Sequence, residues 1–108
     1  MIHSMTDGIT ACLETYRTVM ETVTHLQADG RRIDAEAIRL LFNCAEICHA
    51  TASLLRGADV RALGLCAELC ERSAAWCEEF GDDPRLRACA EACRRCADHC
   101  VDLAVAAA

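Results

Sequence analysis

Apolar residues recur along the chain at spacings of three and four, the pattern of amphipathic helices, and turn residues separate the periodic segments. The first three segments are closed by glycine-containing turns at Asp29-Gly30, Gly57 and Gly81. Each following segment opens with an aspartate suited to cap a helix, namely Asp34, Asp59 and Asp83, the last followed by Pro84. The pattern therefore predicts four helices, over residues 5–28, 34–56, 59–80 and 84–104.

The predicted helices are long and the connections between them are only a few residues. Short connections make consecutive helices antiparallel neighbours. We therefore predict an all-α protein, an antiparallel up-down-up-down four-helix bundle, that forms a single domain over residues 1–108.

Cysteine is the unusual part of the composition, with ten among 108 residues. The net charge of −6 does not favour nucleic-acid binding, and no apolar stretch is long enough to span a membrane. The first residues lack the basic and apolar regions of a signal peptide, so we expect a cytoplasmic protein. In that compartment stable disulfides are rare, and a high cysteine content indicates metal or redox chemistry.

The cysteines follow a repeated spacing of four, three and four residues, which places them on one face of each helix. They are Cys12 in the first predicted helix, Cys44 and Cys48 in the second, Cys66, Cys70 and Cys77 in the third, and Cys89, Cys93, Cys96 and Cys100 in the fourth. Ser73 and Thr51 stand where the same spacing would place further cysteines. Apolar or aromatic residues such as Tyr16 and Phe80 continue the cysteine stripes. We therefore predict that the thiols point into the bundle.

Counting residues outward from the loops predicts which thiols face each other. Cys48 should be level with Cys66, and Cys77 should lie opposite Cys89. The remaining levels are Cys12 with Cys100, then Cys44 with Cys70 and Cys96, then Cys93 with Ser73. The predicted column of thiols is denser toward the end that contains the second loop.

Helix geometry limits what these thiols can do. Side chains at i and i+4 have Cβ atoms about 5–6 Å apart, whereas a disulfide needs about 3.8 Å. The same pairs can reach one soft metal ion, and thiolates select copper(I) among others. Structural zinc sites usually place their CxxC pairs on turns, but Cys93 and Cys96 lie within a helix. The order of spacings also differs from that of the bacterial ferredoxins.

Two other functions stay open on this reasoning. The protein could be a thiol redox sensor, in which facing cysteines oxidise to interhelical disulfides, although sensor thiols are usually exposed. It could also be a zinc-binding or purely structural interaction module. No constellation typical of an enzyme is recognisable, so we predict that the protein is not an enzyme.

The CxxxC pairs on a short, helical, cysteine-rich chain resemble the bacterial copper storage proteins, a family of four-helix-bundle copper-binding proteins. The resemblance implies that the ten cysteines bind several copper(I) ions and that the bundles associate as homotetramers. Copper ions are then the expected partners, with neither nucleic acid nor membrane. This chain has fewer cysteines than the fuller members, since the first helix carries only Cys12, and this implies a lower capacity.

Secondary candidates surround the cysteine stripes. Met5, His49 and His99 are candidate ligands for copper uptake at the mouth of the column. Met1-Ile2-His3 has the donors of an amino-terminal copper(II) or nickel(II) site. Apolar residues outside the cysteine face predict an interface with further copies of the chain, namely Ile38, Phe42 and Ala45 in the second helix and Leu65, Leu69 and Trp76 in the third.

Overall fold

A computed structural model describes residues 4–30 and 33–108. This part of the chain forms four α-helices and no strand: α1, Met5–Ala28; α2, Ala35–Arg56; α3, Leu63–Glu78; and α4, Pro84–Ala107. Each helix packs against the helices next to it in sequence, and α4 closes the ring against α1. The all-α class and the antiparallel four-helix bundle are therefore confirmed. None of the described helices combines the length and apolarity needed to cross a bilayer.

Three of the four helices begin at a side-chain cap. The Ser4 hydroxyl accepts from the Asp7 backbone amide at 3.1 Å, and the Asp7 carboxylate accepts from the Ser4 amide at 3.3 Å, which forms a capping box. Asp34 and Asp83 cap α2 and α4, as predicted from their positions. These caps satisfy amide groups that have no partner within the helix.

The third helix is shorter than predicted, and Asp59 does not cap it. Ala58 adopts a left-handed backbone conformation with φ of 59°. The Asp59 carboxylate then accepts from the Arg61 amide at 3.0 Å and pairs with the Arg61 guanidinium at 2.6 Å. The chain returns to a helix only at Leu63, after Ala62, which supplies no side-chain cap.

The ends of the last two helices also differ from the prediction. The third helix stops at Glu78 instead of residue 80, where the Phe80 amide turns back to the Cys77 carbonyl at 3.1 Å. The fourth helix continues to Ala107 instead of residue 104. The alanine-rich sequence at its end has the highest intrinsic helix propensity, which accounts for the extension.

The core divides along the bundle axis into two parts. The thiol half contains the start of α1, the end of α2, the start of α3 and the end of α4, and its core includes Cys12, Cys48, Cys66, Cys70, Cys96 and Cys100. The apolar half lies at the opposite end, and its core includes Val19, Val23, Leu26, Leu41 and Leu86, together with Cys77 and Cys89. Cys44 and Cys93 lie between the two halves.

Two residues predicted to continue the inward stripes lie elsewhere. Tyr16 is half-buried, and the neighbouring Thr15 takes the buried position on α1. Phe80 follows the end of α3 and is exposed over 38% of its surface. Tyr16 differs because a helical repeat of 3.6 residues lets the adjacent Thr15 take the inward direction. Phe80 differs because α3 ends at Glu78, before the helical stripe reaches it.

Candidate metal centre

All ten cysteine side chains are buried with no exposed surface, and none forms a disulfide. The inward orientation predicted from their spacing is therefore confirmed. The buried side chains of the described residues include the hydroxyls of Thr15, Thr22, Thr51 and Ser73 but no charged group. A thiolate formed in this core consequently has no buried cationic side chain to balance its charge.

Sulfur atoms from different helices approach one another closely. Cys48 Sγ lies 3.5 Å from Cys70 Sγ and 3.8 Å from Cys66 Sγ. Cys44 Sγ is 3.8 Å from Cys70 Sγ, and Cys96 Sγ is 3.7 Å from Cys12 Sγ. These distances are longer than the S–S bond of a disulfide, about 2.05 Å. They match the separation of two sulfurs that coordinate one ion at about 2.3 Å each.

Six thiols form two groups that each satisfy the geometry of a metal site. In each group the four sulfur atoms all lie within 4.8 Å of one another; the first consists of Cys12, Cys66, Cys96 and Cys100, and the second of Cys48, Cys66, Cys70 and Cys96. Cys66 and Cys96 belong to both groups. All four helices contribute a ligand, so the two groups form one connected cluster in the thiol half.

The remaining thiols extend this cluster toward the apolar half. The neighbouring Cys89 thiol, together with burial, raises the pKa of Cys77. Hydrogen bonding from Cys77 and, to a smaller extent, from Cys93 lowers the pKa of Cys89 to about 4. Cys77 therefore lies beside Cys89, and Cys93 links this pair to the rest of the thiols.

Most of the predicted levels are confirmed. Cys48 is close to Cys66, Cys44 is close to Cys70, Cys77 is close to Cys89, and the sulfurs of Cys12 and Cys100 lie within 4.8 Å of each other. The sulfur of Cys96 lies within 4.8 Å of that of Cys70, as predicted, and it also contacts that of Cys12 at 3.7 Å. Cys96 therefore belongs to both four-sulfur groups. The level of Cys93 with Ser73 stays a prediction.

The core disfavours bare thiolates but can accept a monovalent cation in place of each proton. Contacts with Cys44 and Cys48, and burial, raise the pKa of Cys70 well above its usual range. Burial disfavours a bare thiolate because its charge loses hydration. A monovalent soft ion that replaces each proton adds no net charge to the core, and thiolates are its preferred ligands.

Ser73 lies beside the column at the junction of its two parts. Hydrogen bonding from Cys48, Cys70 and Cys93 lowers the pKa of Cys44, and the nearby Ser73 hydroxyl lowers it to a smaller extent. The Ser73 side chain has no exposed surface. The sequence placed Ser73 on the ladder and level with Cys93, but it did not indicate its relation to Cys44.

Another buried hydroxyl was not recognised from the sequence. Thr15 Oγ1 donates to the Ala92 carbonyl at 3.2 Å and thereby ties α1 to α4 beside the cluster. The signal was available, because Thr15 lies three residues after Cys12 and so shares its face.

The three candidate uptake ligands lie outside the two four-sulfur groups. Met5, the first residue of α1, is exposed over 36% of its surface. The exposed His49 packs its ring against Tyr16, with 5.0 Å between the ring centroids. His99 is half-buried and lines a groove of about 430 Å³ between α1 and α4. The candidate copper(II) site at Met1-Ile2-His3 lies outside the described residues.

Apolar side chains remain on the outer surface of α2 and the α3 region. Phe42 is exposed over 37% of its surface and Leu65 over 51%. The half-buried Trp76 packs against Phe80, with 4.9 Å between the ring centroids. Phe42, Leu65 and Trp76 belong to the strip that the sequence predicted to form contacts between copies. Ala45, which was predicted to be part of this strip, is instead fully buried in the core of the bundle.

Comparisons with known proteins agree with this geometry. A family model described as "Csp: Copper storage protein" matches residues 1–105. The structure is similar to the crystal structure of the Nmul_A1745 protein from Nitrosospira multiformis, with a TM-score of 0.84 and 31% sequence identity. The similarity covers 94% of this chain and 94% of that one. The search of curated proteins finds no match.

Proposed function

The chain belongs to the copper storage protein family, and we propose that it stores copper(I) in the cytoplasm by holding several ions on its core thiolates. The observation that carries this proposal is the pair of four-sulfur groups that share Cys66 and Cys96. Shared ligands are typical of a multinuclear thiolate cluster. The proposed ligands are all ten cysteines: Cys12, Cys44, Cys48, Cys66, Cys70, Cys77, Cys89, Cys93, Cys96 and Cys100.

Binding is a proton exchange without any redox step. Each thiol that becomes a ligand releases a proton, and the sulfur forms a bond to copper(I). Each ion is bound by two or more thiolates, and neighbouring ions share thiolates. Ten thiols can then bind roughly five to ten ions. The role is storage and not catalysis, because the cluster is enclosed by the core and leaves no exposed reacting group.

Three residues near the thiol half are proposed to assist uptake. Met5 offers an exposed thioether at the start of α1. His49 directly follows Cys48, and His99 directly precedes Cys100. The two histidines are therefore adjacent in sequence to cluster ligands, and solvent reaches all three side chains at least in part. Thioether and imidazole groups are suitable ligands for copper(I).

We also propose that the bundles associate as homotetramers, as the family resemblance implies. The exposed Phe42 and Leu65 support association through the outer surface of α2 and α3. Apolar patches on the surface of a small domain commonly mark such interfaces.

A structural zinc site is the second candidate, because four sulfurs within 4.8 Å also suit tetrahedral zinc. Two groups that share two ligands favour a soft-ion cluster over one closed zinc site. A redox sensor is less well supported. The 3.5 Å approach of Cys48 and Cys70 would allow oxidation, but both thiols are inaccessible to solvent.

An anaerobic titration of the full chain separates these functions. Copper(I) is added in the presence of a competing chelator, the tightly held ions are counted per chain, and zinc is titrated in parallel. We expect several copper(I) ions per chain. A count of zero or one would overturn the storage function. One tight zinc ion would support the structural site, and reversible peroxide-driven disulfides without metal binding would support the sensor.

A further inference from the structure

The Ser73 hydroxyl is buried without a hydrogen-bond partner among the residues that the structure describes. It lies on α3 between Cys70 and Cys77, on the stripe that carries the cysteines of this helix. A buried polar group that makes no hydrogen bond costs free energy. Alanine would fill the same position without this cost, so the hydroxyl calls for an explanation in the function of the column.

Ser73 occupies a place in the column where ligands are few. At this height α2 contributes Cys44 and α4 contributes Cys93, while α1 carries no cysteine beyond Cys12. The hydroxyl is a poor ligand for copper(I), because a soft ion prefers sulfur to a hard oxygen. It is, however, a good hydrogen-bond donor to a thiolate.

The group on which the Ser73 hydroxyl acts is the Cys44 thiol, its neighbour across the core. Cys44 Sγ lies 3.8 Å from the Sγ of Cys70, a member of the second four-sulfur group, and Cys70 is about one helical turn before Ser73 on the same face of α3. The Ser73 hydroxyl is therefore near Cys44 and favours its thiolate form, although no hydrogen bond joins the two groups in the metal-free protein. When thiolates outnumber the ions, the excess negative charge has no charged side chain to balance it within the described core. A neutral donor at this point therefore stabilises the loaded column.

We propose that Ser73 is a positioning residue for copper(I), whose hydroxyl donates a hydrogen bond to the Cys44 thiolate when this sulfur holds an ion. This inference rests on the proposed storage function. The hydrogen bond tightens the binding of the ion that connects the thiol half to the Cys77–Cys89 pair. The hydroxyl has no hydrogen-bond partner among the described residues of the metal-free protein because its acceptor, the Cys44 thiolate, forms only when copper binds.

Thr51 supplies a matched control on the same bundle. Its hydroxyl is also buried and has no hydrogen-bond partner among the described residues. It lies on α2 seven residues after Cys44, about two helical turns away. Thr51→Val keeps the shape of the side chain and removes the hydroxyl, as Ser73→Ala does at the proposed position.

The test compares the wild-type chain, Ser73→Ala and Thr51→Val by stepwise copper(I) titration against a competing chelator. Hydrogen bonds to charged groups predict that Ser73→Ala weakens the binding of one ion by about tenfold or more. Thermal unfolding of the metal-free proteins should show that neither variant is less stable than the wild type. Thr51→Val should bind the ion at Cys44 as tightly as the wild type.

A second measurement uses the wild-type chain and so does not depend on a variant that folds. Copper(I) is diamagnetic, so NMR can follow the Ser73 hydroxyl proton. This proton should exchange slowly with water after copper loading, with a shift typical of a hydrogen bond to sulfur. Free rotation of the hydroxyl in the loaded protein would overturn the inference.

The remaining outcomes separate the two proposals. A wild-type chain that binds several ions, with Ser73→Ala binding them as tightly, would overturn the role of Ser73 and leave the storage function intact. Equal weakening in Ser73→Ala and Thr51→Val would also overturn it, because the effect would then be general to core hydroxyls. A wild-type chain that binds no more than one ion would overturn the storage function and this inference with it.

Discussion

The two halves of the bundle have the same helical framework but different cores. The thiol half places six cysteines in two connected four-sulfur groups. The apolar half fills the same space mainly with side chains such as Leu26, Leu41 and Leu86, and keeps only the Cys77–Cys89 pair. Buried leucines occur in both halves, since Leu55, Leu63 and Leu103 close the thiol half, so both halves contribute hydrophobic stabilisation to the metal-free fold. The difference indicates that the apolar half serves the stability of the fold and that the thiol half combines this role with metal binding.

Copper loading should have the largest effect on stability, and this effect should be concentrated in the thiol half. An ion that binds only the folded chain stabilises it by about 2.7 kcal/mol when its free concentration is 100 times its Kd. Several ions in the thiol half therefore raise Tm strongly. Amide hydrogen exchange should show the largest gain in protection around Cys66 and Cys96 and little gain around Leu41. A gain confined to the apolar half would contradict this division of roles.

Shortening a core leucine in the apolar half should destabilise the protein without changing its copper content. Leu86→Ala removes a fully buried side chain, and such substitutions cost about 2–5 kcal/mol. Denaturant unfolding of the metal-free chain measures the loss. The control is Val105→Ala, because Val105 is 71% exposed, lies outside the proposed interface and should change the free energy of unfolding little. Fewer bound copper ions in folded Leu86→Ala would show that the two halves are not independent.

Removal of a cysteine shared by both groups should lower the copper content strongly and the stability only a little, the reverse of the effects expected for Leu86→Ala. Cys66 belongs to both four-sulfur groups, so Cys66→Ala should lower the number of bound copper(I) ions by about half. The free energy of unfolding should fall by only about 1 kcal/mol, because a single buried sulfur is lost. Anaerobic titration with the competing chelator measures the count.

The matched variant for this test is Cys77→Ala in the apolar half. Cys77 has Cys89 as its neighbouring thiol and belongs to neither four-sulfur group. Its loss should remove no more than about one ion. Equal losses in Cys66→Ala and Cys77→Ala would mean that the column binds copper evenly along its length.

Much of the division into a thiol half and an apolar half could be predicted from the sequence. The spacing of residues along a helix determines the direction in which each side chain points. The four-, three-, four-residue spacing predicted the inward direction of the thiols, and the short loops predicted contacts such as Cys77 with Cys89. The higher density of thiols near the second loop followed from the same counting. These features depend on local geometry, which the chain encodes over a few residues.

Other features depend on contacts that the spacing does not encode. The sequence predicts the start of α3 at residue 59 because Asp59 has the chemistry of a cap, but the left-handed Ala58 precedes it. Alanine disfavours that conformation, so its residue type gave no signal. Cys96 belongs to two groups because its sulfur lies within 4.8 Å of sulfurs from α1, α2 and α3, and counting residues from the loops does not resolve distances at this scale. The relation of Ser73 to Cys44 across the core has the same origin.

Substitutions of two glycines near the outer end of the thiol half measure how tightly this end is packed. They should change the free energy of unfolding less than the substitutions above. A Cβ at Gly8 would lie 2.5 Å from Leu103 Cδ1, so the buried Leu103 side chain would have to move. A Cβ at Gly64 would meet no atom within 4 Å. Replacing a helical glycine by alanine gains about 0.5–1 kcal/mol when the site is open.

Gly64→Ala should therefore raise the free energy of unfolding by about 0.5 kcal/mol, the lower value applying because Gly64 lies in the first turn of α3. Gly8→Ala should gain less or lose stability, by up to about 1 kcal/mol, because displacement of Leu103 offsets the helix propensity. Denaturant unfolding of the metal-free variants measures both values, and their difference isolates the contact with Leu103. An equal gain at the two positions would mean that Leu103 moves without cost, and that the thiol half is loosely packed at this end even before copper binds.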